Sequence, residues 1–409
     1  MMEKIMRSEL INACEALTQR ATELRCRIHA NPELGCKEFA TSALVMAELK
    51  DIGIEYRSFD DGYTGVIGII HGGKPGPVIG MRADMDALPI QEFDLSKSYS
   101  SNKPGVMHAC GHDVHTAVLL GAARIIHGFK DRLAGTVKLI FQPAEEASEG
   151  GADEMVRRGC LENPHVDEIF GIHVDDQRDC GMVGTRVGAT NASCDSITIT
   201  VQGKSAHGTR PELGVDALYA ACQVVTNLHA MLSRRVGALK NVSLNIGTLH
   251  AGTASNIIAD TAVMNISLRT TDPAMRPYMF SEIERTAKCI CEACCAEAKM
   301  EIRCGSGSVV NDRVLVEHVK GISELLLGEG HFNYTEELCI GSEDFSHYTE
   351  SIPGCFYDIG IRNRGKGIDA PLHNCHFDID ERAIGIGLLM QSGVVLSRLC
   401  TLTDDGKKG

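Results

Sequence analysis

The sequence predicts an α/β protein in which a mostly parallel sheet, flanked by helices, is interrupted by a smaller α+β insert. Three observations predict this fold class. Up to residue 187, apolar strand-like runs alternate with helical patterns, which is typical of a parallel sheet covered on both faces. From residue 188 to 297, the strands alternate apolar and polar residues, as in a sheet with one solvated face. From about residue 300 onward, the first pattern resumes.

The larger predicted domain is discontinuous and comprises residues 1–187 and 298–409. The length of 409 residues also favours two domains over one. In open sheets of this kind, sites form beyond the carboxyl ends of the strands. The patterns predict strands over 65–70, 78–83 and 136–141, and helices over 8–30, 38–52, 115–127, 152–158 and 381–399.

The insert, residues 188–297, is predicted to have the order β-α-β-β-α. Its strands alternate with period two, and its two helices carry the longer helical spacing. A small sheet with helices on one face follows from this order. The predicted strands cover 196–201, 242–246 and 262–268, and the predicted helices cover 214–231 and 277–298.

Composition excludes two classes of partner. The formal net charge is −14, whereas nucleic-acid binding needs a basic surface. No apolar run is long enough to span a membrane, and the first residues contain no apolar signal core. We therefore expect a cytoplasmic protein that binds neither nucleic acid nor membrane.

Two adjacent carboxylates, Glu145 and Glu146, are the most informative local feature. They follow an apolar strand-like run, 136–141, and Pro143 blocks continuation of either strand or helix. Neighbouring side chains on extended backbone point to opposite sides, so one carboxylate could bind a metal while the other carries a proton. Paired acids are also common on solvated helices, and the pair alone does not decide between these interpretations.

A second cluster lies at Cys110-Gly111-His112. A loop bent at Gly111 could bring the thiolate and the imidazole onto one ion, although such a pair is often incidental. Asp84 and Asp86 lie two residues apart and could bind metal or orient ligating histidines. Capping of the turn before a proline is the alternative for these two acids.

Nine segments together resemble a family of dinuclear-metal amidohydrolases. This family includes hippurate hydrolase, N-acyl-amino-acid amidohydrolases and plant auxin-conjugate hydrolases. The segments occur in the family's order and cover nearly the whole chain. They are residues 27–35, 81–89, 107–115, 141–146, 171–173, 203–208, 252–258, 341–345 and 371–374.

The resemblance implies a set of site residues and a cofactor. It implies Glu145 as the general base, His207 as a residue that reaches the reaction centre, in some relatives from the partner subunit, and Asn256 as a substrate contact. Five ligands are too many for one open tetrahedral site but fit two ions that share a ligand. We expect zinc or manganese, with cobalt or nickel as possible substitutes. The implied metal ligands are Cys110, His112, Glu146, His173 and His373.

The function that the resemblance implies is hydrolysis of the amide bond of an N-acyl or N-aroyl amino acid. Arg269 is our candidate partner for the substrate carboxylate. The alternative, to which we give equal weight, is that Arg269 is a solvated residue at the end of a strand and does not bind substrate. A dipeptidase, a carboxypeptidase or an N-acetyl diamino acid deacetylase of the same architecture stays open. A non-catalytic metal-binding scaffold is the alternative of another class. The resemblance further implies a homodimer formed through the insert, which would serve as a lid and dimerisation domain.

Overall fold

The computed structural model describes residues 4–147, 149–338 and 341–403, which form two compact units. The larger unit contains the described residues of Met1–Gly188, Val309–Glu337 and Asp344–Gly409. The smaller unit contains those of Ala189–Ser308 and Leu338–Glu343. Their assignment as a catalytic domain and a lid or dimerisation domain stays a prediction.

Strands and helices alternate over most of the described chain. The strands are β1 (Lys4–Met6), β2 (Glu55–Arg57), β3 (Val66–His71), β4 (Lys74–Asp84), β5 (Ala134–Gln142), β6 (Glu168–Asp179), β7 (Val183–Thr185), β8 (Gly188–Ala189), β9 (Asp195–Gln202), β10 (Ala206–His207), β11 (Val242–Ala251), β12 (Ile257–Ile258), β13 (Thr261–Thr270), β14 (Glu297–Cys304), β15 (Val310–Asn311), β16 (Phe332–Tyr334), β17 (Gly354–Arg362) and β18 (Thr401–Thr403). The helices are α1 (Arg7–His29), α2 (Phe39–Ile52), α3 (His112–Gly128), α4 (Ala152–Arg157), α5 (Ala217–Arg235), α6 (Met275–Ala293), α7 (Arg313–Leu327), α8 (Ser346–Thr349) and α9 (Arg382–Leu399).

An eight-stranded sheet forms the centre of the larger unit. Its order is β16-β7-β17-β6-β4-β5-β3-β2. The inner neighbours β5, β4, β6 and β17 run parallel to one another. Strand β3 pairs antiparallel with β5 and β2, and β7 pairs antiparallel with β17 but parallel with β16. The predicted α/β class with a mostly parallel sheet is confirmed.

Helices cover both faces of this sheet. Neighbouring residues along a strand point to opposite faces, and they belong here to two different apolar clusters. The first cluster includes buried residues of α1, α3, α7 and α9, and the second includes residues of α4 and α8. Strand residues of the first cluster include Val66, Leu139, Phe170 and Cys355, and their neighbours in the second are Ile67, Ile140, Ile169 and Phe356.

The smaller unit has a four-stranded antiparallel sheet in the order β11-β13-β9-β14. Its helices α5 and α6 contribute buried residues to one apolar cluster with the sheet, and β9 and β13 alternate buried with more exposed positions. The helices therefore cover one face, as the alternating pattern predicts.

Among the predicted element boundaries that differ from the structure, those of α3 and α6 matter most for the site and for the division into units. Helix α3 begins at His112, not at His115. Helix α6 ends at Ala293, and residues Glu297–Cys304 form the additional strand β14, which pairs with β9. The predicted boundary at residue 298 therefore falls inside a strand of the smaller unit. The sequence of β14 alternates polar with apolar residues at every second position, so the signal of a strand was present, but the predicted helix extended over its first two residues.

Within the described residues, no helix combines the length and the apolarity that crossing a membrane requires.

Replacing either of two helix-interior glycines by alanine is expected to change the free energy of unfolding, in opposite directions. A Cβ on Gly387 of α9 would lie 2.9 and 3.0 Å from the two Cγ atoms of Val118, whereas a Cβ on Gly321 of α7 would meet nothing within 4 Å. We expect Gly387→Ala to lower the free energy of unfolding by about 1–3 kcal/mol through overpacking. We expect Gly321→Ala to raise it by about 0.5–1 kcal/mol through helix propensity. Denaturant unfolding at one fixed metal concentration measures both, and equal shifts would contradict the packing described here.

Candidate active site

The candidate site lies where neighbouring parallel strands end. Asp84, the last residue of β4, is paired in register with Gln142, the last residue of β5. On the other side of β4, Arg82 is paired with Gly171 of β6, and His173 follows two residues later. The carboxyl ends of these strands meet at one edge, so the segments that follow them lie close together.

A glycine turn leads from Cys110 into helix α3. Gly111 precedes the helix with a φ of +82°, a left-handed conformation that favours glycine. A Cβ at this position would lie 2.4 Å from Cγ2 of Val174. Only glycine fits without displacing β6, and the turn leaves Cys110 and His112 on the same cluster of side chains.

The structure brings all five predicted metal ligands and Glu145 together. The Cys110 Sγ atom lies 3.5 Å from His173 Nε2 and 3.3 Å from His373 Nε2. The His373 Nε2 atom also lies 2.9 Å from Glu146 Oε1. Donor atoms lie within 4.8 Å of one another in each of three overlapping groups. These are Cys110–His112–His173, Cys110–Glu146–His373 and His112–Glu145–Glu146.

Asp86 links the two halves of this cluster. Its Oδ1 accepts a hydrogen bond from the Glu145 amide at 3.1 Å, and its Oδ2 accepts one from the Glu146 amide at 2.9 Å. Oδ1 also lies 3.2 Å from His112 Nδ1. A single carboxylate, 1% exposed, thus fixes the backbone of both acids and the orientation of one imidazole.

Asp84 has a different set of partners. Its Oδ1 lies 2.6 Å from His115 Nδ1, and its Oδ2 accepts a 2.6 Å hydrogen bond from Arg82. His115 Nε2 in turn accepts a hydrogen bond from the Val174 amide at 3.0 Å, which places the imidazole proton on Nδ1. Asp84 and His115 therefore support β6 beside His173.

Two residues of the site have left-handed backbone conformations without being glycine. Ala144, directly before the two acids, has a φ of +58°, and His373 has a φ of +60°. Such conformations cost about 1–2 kcal/mol each and are frequent at functional sites. The His373 amide donates to the Ala109 carbonyl at 2.8 Å, which connects this segment to the Cys110 turn.

The charges of the cluster call for a cation. Burial raises the pKa of the Cys110 thiol well above its usual value, so its thiolate needs a positive neighbour. Burial opposes protonation of His112, but the nearby Asp84 and Cys110 outweigh it and raise the pKa of this imidazole. The carboxylates of Asp84, Asp86 and Glu145 thus lie near the one buried imidazole of His112, and this concentration of negative charge favours a bound cation.

The donor atoms fit a metal centre. The His112 Nε2 atom is buried and makes no hydrogen bond within the described residues, which is expected of an atom that ligates a metal. A thiol, three imidazoles and a carboxylate form a donor set that suits zinc and related divalent ions. The His373 side chain is 51% exposed, so one side of the cluster is open to solvent.

The smaller unit carries the three remaining predicted residues. His207 ends β10, and the Gly208 amide donates to the Asn256 carbonyl at 2.8 Å, so His207 and Asn256 lie on paired segments. The Thr209 amide donates to His207 Nδ1 at 3.2 Å, which places the proton of the neutral imidazole on Nε2. Arg269 is a half-buried residue of β13, opposite Ser243 of β11.

Two residues that support the site, Asp344 and Asp86, are identified by the structure and not by the sequence alone. Asp344 accepts hydrogen bonds from Arg82 at 2.7 Å, from Gln142 at 2.7 Å and from the Ala152 amide at 2.8 Å. Asp344 therefore holds the segment of Glu145 and Glu146 at both ends, through Gln142 and Ala152. Asp344 lies in residues 341–345, one of the nine segments that resemble the family, and this position was the indication that the sequence offered of its role. For Asp86, the structure favours the orienting role over turn capping.

The comparisons with known proteins agree with this geometry. The sequence pattern described as Peptidase family M20/M25/M40 matches residues 80–392, well over half of the chain. The chain belongs to this family. It is a metal-dependent hydrolase that acts on amide or peptide bonds.

Relatives and solved structures cover nearly the whole of this M20 hydrolase. Thermostable carboxypeptidase 2 of Saccharolobus solfataricus is 36% identical over 93% of this chain and 96% of its own length. IAA-amino acid hydrolase ILR1-like 4 of Arabidopsis thaliana is 35% identical over 93% of this chain and 86% of its own. A Bacillus subtilis crystal structure, described as a dinuclear metal binding peptidase from the M20 family, has a TM-score of 0.79. It is 31% identical and covers 94% of this chain and 100% of its own.

Removal of Asp86 tests the support of the site. We expect Asp86→Ala to weaken metal binding by about 10–100-fold, because it frees the His112 ring and the backbone of both acids. Asp60→Ala removes the same charge from an exposed position and serves as the control. Competition with a chromogenic chelator measures both affinities. Equal affinities in the two variants would show that Asp86 does not support the site.

Proposed function

We propose that this M20 hydrolase cleaves the amide bond of N-acyl or N-aroyl amino acids with the aid of two divalent ions. In this proposal Cys110, His112, Glu146, His173 and His373 hold the ions, with zinc or manganese as the expected metal and cobalt or nickel as possible substitutes. The chemistry of the donor set supports two ions, since five donors exceed the needs of one open tetrahedral site. The B. subtilis relative is itself described as dinuclear.

The position of Glu145 carries the mechanistic part of the proposal. Its Oε2 lies 4.0 Å from His112 Nε2, and its amide shares the Asp86 carboxylate with the amide of Glu146. One acid of the pair can therefore hold metal while its neighbour faces the same reaction centre. At 11% side-chain exposure, Glu145 is shielded from most water but accessible to a small substrate.

Glu145 acts as the general base and then as the general acid. When bound, the divalent ions supply Lewis acidity, which lowers the pKa of water and polarises an amide carbonyl. Glu145 takes the proton from the attacking water and delivers it to the leaving nitrogen, so the amine departs neutral. General acid–base catalysis of this kind contributes about 10²–10⁴-fold to the rate.

The smaller unit supplies substrate contacts in this proposal. The proton on His207 Nε2 suits donation to the carbonyl oxygen as negative charge develops there. Asn256, on the segment paired with His207, contacts the substrate. Arg269 binds the carboxylate of the amino acid.

We further propose a homodimer formed through the smaller unit. Within the described residues, β11 and β14 are the edges of its sheet, and unpaired edges are available for pairing with a second copy. Light scattering after size-exclusion chromatography tests this point, and a monomer at all concentrations would remove it.

A carboxypeptidase or dipeptidase is the second candidate. It is favoured by the 36% identity to a protein named thermostable carboxypeptidase 2. The two candidates share the chemistry at Glu145 and differ in the group on the acyl side of the bond. An acyl or aroyl group carries no charge, whereas a dipeptide brings an ammonium group close to the scissile bond.

A release assay over a substrate panel tests the proposal. Amino-acid release is measured from N-acetyl, N-benzoyl and indole-3-acetyl amino acids and from dipeptides, with zinc or manganese added. We expect the acylated amino acids to have the higher kcat/KM, Glu145→Gln to lower kcat about 10²–10⁴-fold with metal retained, and Arg269→Ala to raise KM. Faster cleavage of dipeptides would establish the second candidate. Glu145→Gln turnover near wild type would exclude Glu145 as the base.

A further inference from the structure

Glu38 is a buried acid outside the metal cluster whose contacts converge on the segment of Glu145 and Glu146. It is 0% exposed and precedes helix α2, yet its side chain does not cap that helix. Its Oε1 accepts a hydrogen bond from the Ala144 amide at 2.8 Å, and its Oε2 accepts one from the Thr64 hydroxyl at 2.6 Å. The side chain thus points away from its own helix and toward the catalytic segment.

Helix α2 is capped by a different acid in the same stretch. Glu33 is 8% exposed and accepts hydrogen bonds from the Ala40 amide at 3.1 Å and from the Thr41 amide at 2.8 Å. The Thr41 hydroxyl donates to the same carboxylate at 3.0 Å. Because Glu33 already performs the capping, the burial of Glu38 needs another explanation.

Two buried carboxylates accept hydrogen bonds from three consecutive backbone amides of the catalytic segment. The Ala144 amide donates to Glu38, and the next two amides, of Glu145 and Glu146, donate to Asp86. Ala144 has a φ of +58°, a conformation that an alanine adopts only when its surroundings hold it there. The hydrogen bond to Glu38 stabilises this turn at the residue directly before the base.

Burial of a second carboxylate beside Asp86 is unfavourable by itself. Burial raises the pKa of Glu38, and the negative charge of Asp86 adds to the effect. The Thr64 hydroxyl and the amides of Ala144 and Cys36 donate to Glu38 and oppose this effect. The Glu38 carboxylate is buried although burial disfavours its charge, and it accepts a hydrogen bond from the Ala144 amide. This combination indicates a role in positioning the catalytic turn.

We propose that Glu38 is a positioning residue that holds the left-handed turn at Ala144 and thereby directs the Glu145 carboxylate toward the reacting water. This inference rests on the proposed role of Glu145. Within the described residues, the Glu38 side chain accepts hydrogen bonds from the amides of Cys36 and Ala144 and from the Thr64 hydroxyl, so it acts on the site through the backbone. Small displacements of a catalytic group cost rate rather than binding, since a shift of about 1 Å can lower turnover by about 10²-fold.

Four variants test this role. Glu38→Ala removes the acceptor, and Glu38→Asp keeps the charge but is one methylene too short to reach the Ala144 amide. Glu38→Gln keeps an acceptor oxygen at full length. Glu33→Ala removes a buried acid of the same stretch whose side-chain hydrogen bonds, within the described residues, go to Ala40 and Thr41, and it is the matched control for general destabilisation.

We expect Glu38→Ala and Glu38→Asp to lower kcat about 10–100-fold, with KM within about twofold and bound metal at the wild-type ratio. Glu38→Gln should recover kcat to within about threefold of wild type. The assay uses the panel substrate that the wild type hydrolyses fastest. Should Glu38→Ala not fold, Glu38→Asp carries the test, because it preserves size and charge more closely.

Hydrogen–deuterium exchange of the peptide covering residues 142–151 provides a readout that needs no activity. We expect faster exchange of this peptide in Glu38→Ala and Glu38→Asp, with and without metal, and wild-type exchange in Glu33→Ala. Exchange and kcat that match those of Glu33→Ala would overturn the inference. If the wild type released no amino acid from any conjugate, the proposed function would fail, and the exchange data alone would decide the role of Glu38.

Discussion

The geometry of the candidate site depends on the interactions of one buried carboxylate, that of Asp86. It accepts the amides of both Glu145 and Glu146 and lies against the Nδ1 atom of His112. The acids follow β5 and the histidine begins α3, so these groups come from separate parts of the chain. Hydrogen bonds to a buried carboxylate are strong and directional, and they fix the relative positions of base and ligands before any substrate arrives.

The surroundings of this carboxylate show how the fold maintains a dense negative site. Arg82, fully buried, donates to Asp84, Gln142 and Asp344 and so joins three segments at the strand ends. Breaking such a pair would leave a buried charge without a partner, at a cost of about 3–5 kcal/mol. The remaining negative charge converges on the donor atoms of the cluster, where divalent cations would balance it. The same polar framework thus supports both the fold and the site.

Much of this could be predicted from the sequence, and the rest depends on contacts between distant residues. The α/β class followed from alternating patterns, and the grouping of Cys110, His112 and the two acids followed from ordered motifs. The strand β14 was missed although its residues alternate polar with apolar side chains, because the predicted helix over 277–298 extended over its first two residues. The left-handed turn at Ala144 is stabilised by Glu38, 106 residues away, and no local preference of alanine indicates it.

Anomalous diffraction from crystals of the zinc-loaded protein is the most direct test of this site. We propose that two ions are held beside Glu145 by Cys110, His112, Glu146, His173 and His373. We expect two anomalous peaks within bonding distance of these side chains. Chelation should remove both peaks and should abolish amide hydrolysis. A single peak, or no peak at this cluster in protein that still hydrolyses its substrate, would contradict this proposal.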